Sequence, residues 1–129
     1  MPGLPRHPNF WLAGFLLWFG VLWGLSSFRI PSEGVPPIPH LDKVVHFGYF
    51  FGGSGLICAW LFRRRPKNPN WKAIIATAIL VVALIGGLDE YHQSFTPGRS
   101  GNDLSDWIAD VLGATAGALV FKRIHHWLK

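Results

Sequence analysis

The stretch NFWLAGFLLWFGVLWGLSSF, from Asn9 to Phe28, contains no charged residue in 20 positions. A helix rises about 1.5 Å per residue, so a helix of this length crosses a hydrocarbon core of about 30 Å. The stretch therefore predicts a membrane-spanning helix. The alternative is a cleaved signal peptide, but the apolar core of a signal peptide is shorter and is followed by a small-x-small cleavage site.

Three more apolar runs follow along the chain, at 44–62, 71–93 and 107–123. In the third, the apolar part ends at Leu88, and we expect its helix to continue through the polar residues up to Gln93 before Pro97 stops it. The fourth run is short, and the basic and aromatic tail after it can snorkel to extend it. Together with 9–28, these runs predict an all-α fold, a polytopic membrane four-helix bundle that forms a single domain over residues 1–129.

The composition agrees with a membrane protein and argues against a nucleic-acid-binding one. Half of the residues are hydrophobic and 15% are charged, compared with about 25% charged residues in soluble proteins. A pI of 9.9 is otherwise typical of proteins that bind DNA or RNA, but such a footprint needs a solvated basic face that the apolar runs do not leave. The single cysteine, Cys58, lies within an apolar run and is interpreted as a core residue.

The charges are segregated between the two ends of the predicted helices. Nine of the 12 basic residues lie near one set of ends and three near the other, where all seven acidic residues lie. Because basic loops stay in the cytoplasm, this bias predicts four crossings of the cell inner membrane with both termini cytoplasmic. The nine are Arg6, Arg63, Arg64, Arg65, Lys67, Lys72, Lys122, Arg123 and Lys129, and the three are Arg29, Lys43 and Arg99.

Polar side chains at the acidic ends fall on single helical faces. The spacing i, i+4, i+7 or i, i+3, i+7 places them in stripes that point into the bundle or at a partner. An unpaired carboxylate at mid-bilayer costs about 2.5–3.5 kcal/mol, so Asp110 in particular should face inward and find a donor. The donors within reach are Lys43, His46, Gln93 and Arg99. The stripes are Asp42, His46, Tyr49 and Gly53; Gly86, Glu90 and Gln93, with Asp89 beside them; and Asp103, Asp106, Asp110, Gly113 and Gly117.

Glycines recur at a spacing of four within three of the predicted helices. The pairs are Gly20 and Gly24, Gly48 and Gly52, and Gly113 and Gly117. Small residues at this spacing let helix backbones approach closely. We expect tight packing inside the bundle rather than self-association, and the oligomeric state itself is not predicted.

Several short motifs resemble the VanZ-like membrane protein family. The resemblance rests on DKVVHF from Asp42 to Phe47, DEYHQSF from Asp89 to Phe95, PGR from Pro97 to Arg99, and Asp106 with the glycines after it. It spans roughly residues 41–120, and Asp110 stands where the family often has Asn. The resemblance implies a small bacterial envelope protein, with a founding member linked to glycopeptide antibiotic resistance, and supplies no reaction mechanism.

The polar residues at the acidic ends permit three interpretations. The first is a structural ion-pair network in a non-enzymatic membrane partner or assembly factor. The second is a pocket that binds or modifies an anionic, lipid-linked or cell-wall precursor. The third is a metal site with ligands among His46, His92, Asp89, Glu90 and Asp106, but their spacing matches no standard metal motif.

We favour the pocket, with no metal or other cofactor, and the bilayer and an envelope precursor as its partners. The candidate acid/base residues are His46 with Glu90 or Asp89, and Arg99 and Lys43 would hold the anion. The remaining candidate ligand-binding residues are Asp42, Gln93 and Asp106. If the chain is an enzyme, these residue types favour hydrolysis or transfer at a phosphate, and the sequence does not decide whether it is one.

Overall fold

A computed structural model of the chain describes residues 4–27, 41–96 and 104–128. Four α-helices make up most of this part: α1 spans Pro8–Leu25, α2 Leu41–Arg64, α3 Trp71–Gln93 and α4 Leu104–Ile124, and a 3₁₀ turn, His125–Leu128, follows α4. The predicted all-α four-helix bundle is confirmed. All four helices are long and apolar enough to cross a membrane.

Local sequence signals set several of the helix ends. Pro8 occupies the first turn of α1, where its missing N–H is not needed, and the His7 side chain accepts a hydrogen bond from the backbone N–H of Asn9. Asn70 caps α3 by accepting from the N–H of Ala73 at 3.1 Å. The third helix therefore has the predicted bounds.

Three helix ends differ from the prediction by three residues, and the other ends of these helices by one or two. The first helix ends at Leu25 rather than at Phe28. Ser26 is its C-cap, and the backbone N–H of Ser27 donates to the carbonyl of Gly24, three residues earlier, in a tighter turn. The second and fourth helices begin three residues earlier than predicted. Polar residues end the apolar part of a membrane span, but they can still be helical. The first turns of α2 and α4 are therefore formed by the polar residues that precede each apolar run.

The second helix is the centre of the bundle and contacts each of the other three, most extensively α4. Between α2 and α4 the approach is closest at two glycines. A side chain at Gly113 or Gly117 would overlap the backbone carbonyl oxygen of Phe47 or Phe51, respectively. This pair behaves as predicted, since only glycine permits such contact between backbones.

The other two glycine pairs do not pack inside the bundle. A Cβ at Gly20, Gly24, Gly48 or Gly52 would meet no described atom within 4 Å, and all four glycines are exposed. The expectation of internal packing was wrong for these pairs. The reason is the orientation of each helix about its own axis, which turns the face with the glycine pair away from the neighbouring helices.

Large apolar side chains cover the outside of the bundle. Leu17 is 70% exposed, Leu80 62% and Leu112 56%. Such a surface would be unfavourable in water and is the one that a lipid bilayer requires. The core holds Phe50, Phe62 and Val82, together with Cys58, which is fully buried as predicted.

The two ends of the described chain lie at the same end of the bundle. The Arg63 guanidinium, near the end of α2, donates hydrogen bonds to the carbonyl oxygens of Arg6 at 2.7 Å and Leu128 at 2.5 Å. Trp71 and His125 pack nearby with ring centroids 4.6 Å apart. We call this the basic end, and the candidate site lies at the other end of the helices.

Candidate functional site

Polar side chains from all four helices or their flanking residues meet at the end opposite the basic end. We call this set the polar cluster; it consists of Ser26, Lys43, His46, Asp89, Glu90, Gln93, Asp106 and Asp110. Because consecutive helices run in opposite directions, the residue after α1, the start of α2, the end of α3 and the start of α4 lie at the same level. The predicted convergence of His46, Glu90 and Asp106 is present.

The centre of the cluster is a histidine–aspartate pair between α2 and α4. Nδ1 of His46 lies 2.7 Å from Oδ1 of Asp110, which is fully buried. The other ring nitrogen, Nε2, lies 3.7 Å from Oδ2 of Asp106. The histidine ring is thus held between two carboxylates of α4 spaced four residues apart.

Lys43 lies one helical turn before His46 and completes this part of the cluster. Its Nζ lies 2.6 Å from Oδ1 of Asp106, and its side chain is 29% exposed. The chain of contacts therefore runs from a partly exposed ammonium, through Asp106 and His46, to a carboxylate with no exposure. Such a gradient from the surface to the interior is suited to moving a proton or holding an ion.

A second group of hydrogen bonds joins α3 to the end of α1. The carboxylate of Asp89, fully buried, accepts from the Ser26 hydroxyl and from Nε2 of Gln93, the latter at 2.7 Å. The Thr96 hydroxyl donates to the backbone carbonyl of Ser26 at 2.7 Å. The two bonds to Ser26 attach the end of α1 to the bundle, and Ser26 and Gln93 are both neutral donors to Asp89.

Glu90 lies on the side of α3 that faces the histidine–aspartate pair. It is 4% exposed. One potential ligand atom from each of His46, Glu90 and Asp110 lies within 4.8 Å of the others. Of the two carboxylates predicted as partners of His46, Glu90 is therefore close to it, whereas Asp89 is engaged with Ser26 and Gln93.

The closeness of α3 and α4 depends on a glycine. A Cβ at Gly86 would lie 2.8 Å from Oδ2 of Asp110. Any larger residue would displace the Asp110 carboxylate, so Gly86 makes room for it. The sequence prediction placed Gly86 on the same stripe as Glu90 without recognising this role.

The pairing of His46 with Asp110 was one of four predicted possibilities, since Lys43, Gln93 and Arg99 were the other expected donors. Asp110 was expected to face inward and to find a donor, but it was not among the candidate site residues. Ser26 and Thr96 were also missed, because a serine and a threonine at the ends of apolar helices carry no distinctive signal. The four-residue spacing of Asp106 and Asp110 places both carboxylates on one face of α4. This spacing was the one signal in the sequence that both could contact the same histidine.

Two predicted residues cannot be placed. The Asp42 side chain and the whole of Arg99 lie outside the described residues. His92 lies apart from the cluster: its ring stacks on Trp23 at a centroid distance of 3.9 Å and its Nε2 is 3.4 Å from the Ser27 hydroxyl. That placement agrees with an interfacial ring rather than a metal ligand.

A cavity of about 130 Å³ adjoins the cluster between α1, α2 and α3. Most of its walls are apolar, and its polar wall is formed by Ser26, His46, Asp89 and Gln93. The apolar wall consists of Leu22, Leu25, Val45, Tyr49 and Phe50. A volume of this size can hold a few methylene groups or part of a headgroup beside the histidine.

The fold and the cluster define a multi-pass membrane protein with a buried polar site at one end of its helices. Residues 8–126 match the VanZ/LLP1 family, so nearly the whole chain is covered. The chain belongs to this family, as its motifs indicated.

The chain is also similar to a protein from fission yeast. The chain is 32% identical over 127 residues to Uncharacterized protein C11E3.10 of Schizosaccharomyces pombe, an alignment that covers 95% of this chain and 72% of the relative. No solved structure matches the chain significantly. Because the similarity extends to a eukaryote, neither a bacterial envelope nor antibiotic resistance follows from family membership.

Proposed function

We propose that this chain binds an anionic, phosphate-bearing membrane lipid or lipid-linked precursor at the polar cluster. The observation that carries the proposal is the position of His46, which pairs with the buried Asp110 and also lines a cavity with mostly apolar walls. A ligand with an apolar chain and a polar headgroup matches that combination of surfaces.

The apolar wall would take part of the lipid chain. Leu22 and Phe50 are buried at the cavity, while Val45 is 59% exposed and lies at its edge. The cavity thus reaches the outer surface of the bundle, where a bilayer lipid can enter sideways. Burying methylene groups there contributes about 0.8 kcal/mol each.

Cationic side chains would hold the headgroup. Lys43 is the partly exposed cation of the polar cluster within the described residues, and it lies one helical turn from His46. We propose Arg99 as the second cation, because a guanidinium binds phosphate through two parallel hydrogen bonds. The histidine would exchange a proton with the bound phosphate, and any chemical modification would be centred there.

Filling the edge of the cavity should weaken lipid binding. Val45→Trp is expected to lower retention of dioleoyl phosphatidic acid by at least about tenfold, equivalent to about 1.4 kcal/mol. The indole would occupy the space proposed for the lipid chain. Native mass spectrometry of the purified protein in mild detergent, titrated with this lipid and with the phosphatidylcholine of the same chains, measures the effect.

Val44 provides a matched control. It is the preceding residue on α2, is 64% exposed and does not line the cavity. Val44→Trp should therefore bind the lipid like the unchanged protein. Equal losses in both variants, or equal retention of the zwitterionic and anionic lipids by the unchanged protein, would contradict the proposal.

A structural role in a non-enzymatic membrane partner is the second candidate. It is favoured by Asp89, whose buried carboxylate accepts from Ser26, just after α1, and from Gln93 on its own helix. In this case the cluster fixes helix positions and a protein rather than a lipid co-purifies. Arg99→Ala distinguishes the two roles, because a lipid site loses binding while the unfolding midpoint is unchanged, whereas a structural network loses stability.

We also propose that the polar cluster faces the outer side of the inner membrane, with both termini in the cytoplasm. The basic end carries Arg63 beside both ends of the described chain, as the positive-inside rule requires.

Cysteine labelling tests this orientation. Cys58 is buried and should not react, so a Lys67→Cys variant and a Ser94→Cys variant each present one exposed thiol. In intact cells a membrane-impermeant maleimide is expected to label Ser94→Cys and not Lys67→Cys, with both labelled after lysis. The reverse pattern would overturn the orientation.

A further inference from the structure

The His46, Glu90 and Asp110 side chains have the donor types and proximity of a metal site. Each offers one ligand atom, an imidazole nitrogen or a carboxylate oxygen, and the three atoms lie within 4.8 Å of one another. Ligands about 2.1 Å from a tetrahedral zinc ion lie about 3.5 Å apart, so shifts of about 1 Å would close the three around an ion.

Asp110 supplies an independent observation. It is fully buried, its Oδ1 contacts His46, and its Oδ2 has no hydrogen-bond partner within the described residues. A buried carboxylate oxygen with unused lone pairs is costly, and a cation satisfies it. Gly86 gives this oxygen its room, since a Cβ there would come within 2.8 Å of Oδ2.

The charge of the three groups also suits a divalent ion. A neutral imidazole and two carboxylates carry two negative charges, which an ion of charge +2 cancels. Neutrality is important here because all three residues lie within membrane-spanning helices. Three protein ligands leave coordination positions for water or for a ligand oxygen.

From this geometry we propose that His46, Glu90 and Asp110 form a divalent-cation site that takes Zn²⁺ or Mn²⁺. Nδ1 of His46, which contacts Asp110, would be the ligand. Its Nε2 would then donate to Asp106, now 3.7 Å away, as carboxylates commonly orient metal-bound histidines. Mixed nitrogen and oxygen ligands suit these two ions. The site revises the expectation that the cluster holds no metal, and it does not depend on lipid binding.

The test is direct metal binding by the lipid-free protein in detergent. The protein is purified without a polyhistidine tag and carries His126→Ala, since two adjacent histidines such as His125 and His126 can bind a metal ion. Isothermal titration with ZnCl₂ and with MnCl₂ is expected to show one ion per chain. X-ray absorption at the zinc edge should show nitrogen and oxygen ligands and no sulfur.

Substitutions of the three ligands locate the ion. Asp110→Asn and Glu90→Gln are expected to weaken Zn²⁺ binding by at least about 100-fold, because each removes a ligand rather than an outer partner. His92→Gln, at a histidine stacked on Trp23 outside the cluster, is the matched control and should bind normally. Circular dichroism establishes that each variant is helical.

These measurements show whether the metal site exists even if one of the variants fails to fold. A zinc-dependent rise in the unfolding temperature of the tag-free protein, lost in Glu90→Gln, supports the site. No binding of either ion up to about 100 times the protein concentration, or binding abolished by His92→Gln instead, overturns it. If neither ion binds while the lipid is still retained, the lipid proposal stands and this one fails.

Discussion

Replacing Gly113 by leucine is expected to destabilise the bundle more than any other single substitution proposed for it. The added Cβ would overlap the carbonyl oxygen of Phe47, which is backbone and cannot rotate away. The two helices with the most extensive contact, α2 and α4, would have to separate. Overpacking costs about 1–3 kcal/mol when side chains can adjust, and a larger loss is expected here.

The measurement is the thermal unfolding midpoint in detergent, followed by circular dichroism. Gly52→Leu is the matched control, because Gly52 also lies on a helix but a Cβ there meets no described atom within 4 Å. It should unfold close to the unchanged protein, since leucine is also the better helix former. Equal losses in the two variants would mean that backbone contact between α2 and α4 does not stabilise the fold.

His46→Leu should have the second-largest effect. It removes the partner 2.7 Å from Asp110 and leaves a fully buried carboxylate without that contact. Breaking a buried pair from one side costs about 3–5 kcal/mol, because the remaining charge stays desolvated. A lower midpoint with unchanged helix content at low temperature is the expected result.

The double variant His46→Leu with Asp110→Asn shows whether the loss comes from the pair. Removing the negative charge as well should restore part of the stability, so the double variant should unfold above His46→Leu alone. The cycle is completed by Asp110→Asn, and the expected coupling is about 1–3 kcal/mol. Costs that add to within about 0.5 kcal/mol would show that the two residues act independently.

The two experiments bear differently on function. Gly113 supports the packing of the helices that carry the site, whereas His46 belongs to both the lipid site and the metal site that we propose. The Val45→Trp variant keeps the pair of His46 and Asp110 intact. Loss of lipid binding in this variant would therefore be evidence for a lipid site, which stability measurements on His46 variants cannot provide.

The sequence by itself determined the membrane spans and their common polar end. Helix length and apolar composition are properties of each segment alone, so α3 was predicted at its observed bounds, and the charge bias placed His46, Glu90 and Asp106 at one level. Burial of Cys58 followed in the same way from its position in an apolar run.

Only the tertiary structure decided which side chains meet. Several carboxylates at one level can reach one histidine, and the choice depends on how far each helix is rotated about its axis, which is set by packing between helices. Thus His46 pairs with Asp110 and not with Asp89, which Ser26 and Gln93 hold. The same rotation buries Gly113 and Gly117 and leaves Gly48 and Gly52 exposed, although the two pairs share one spacing.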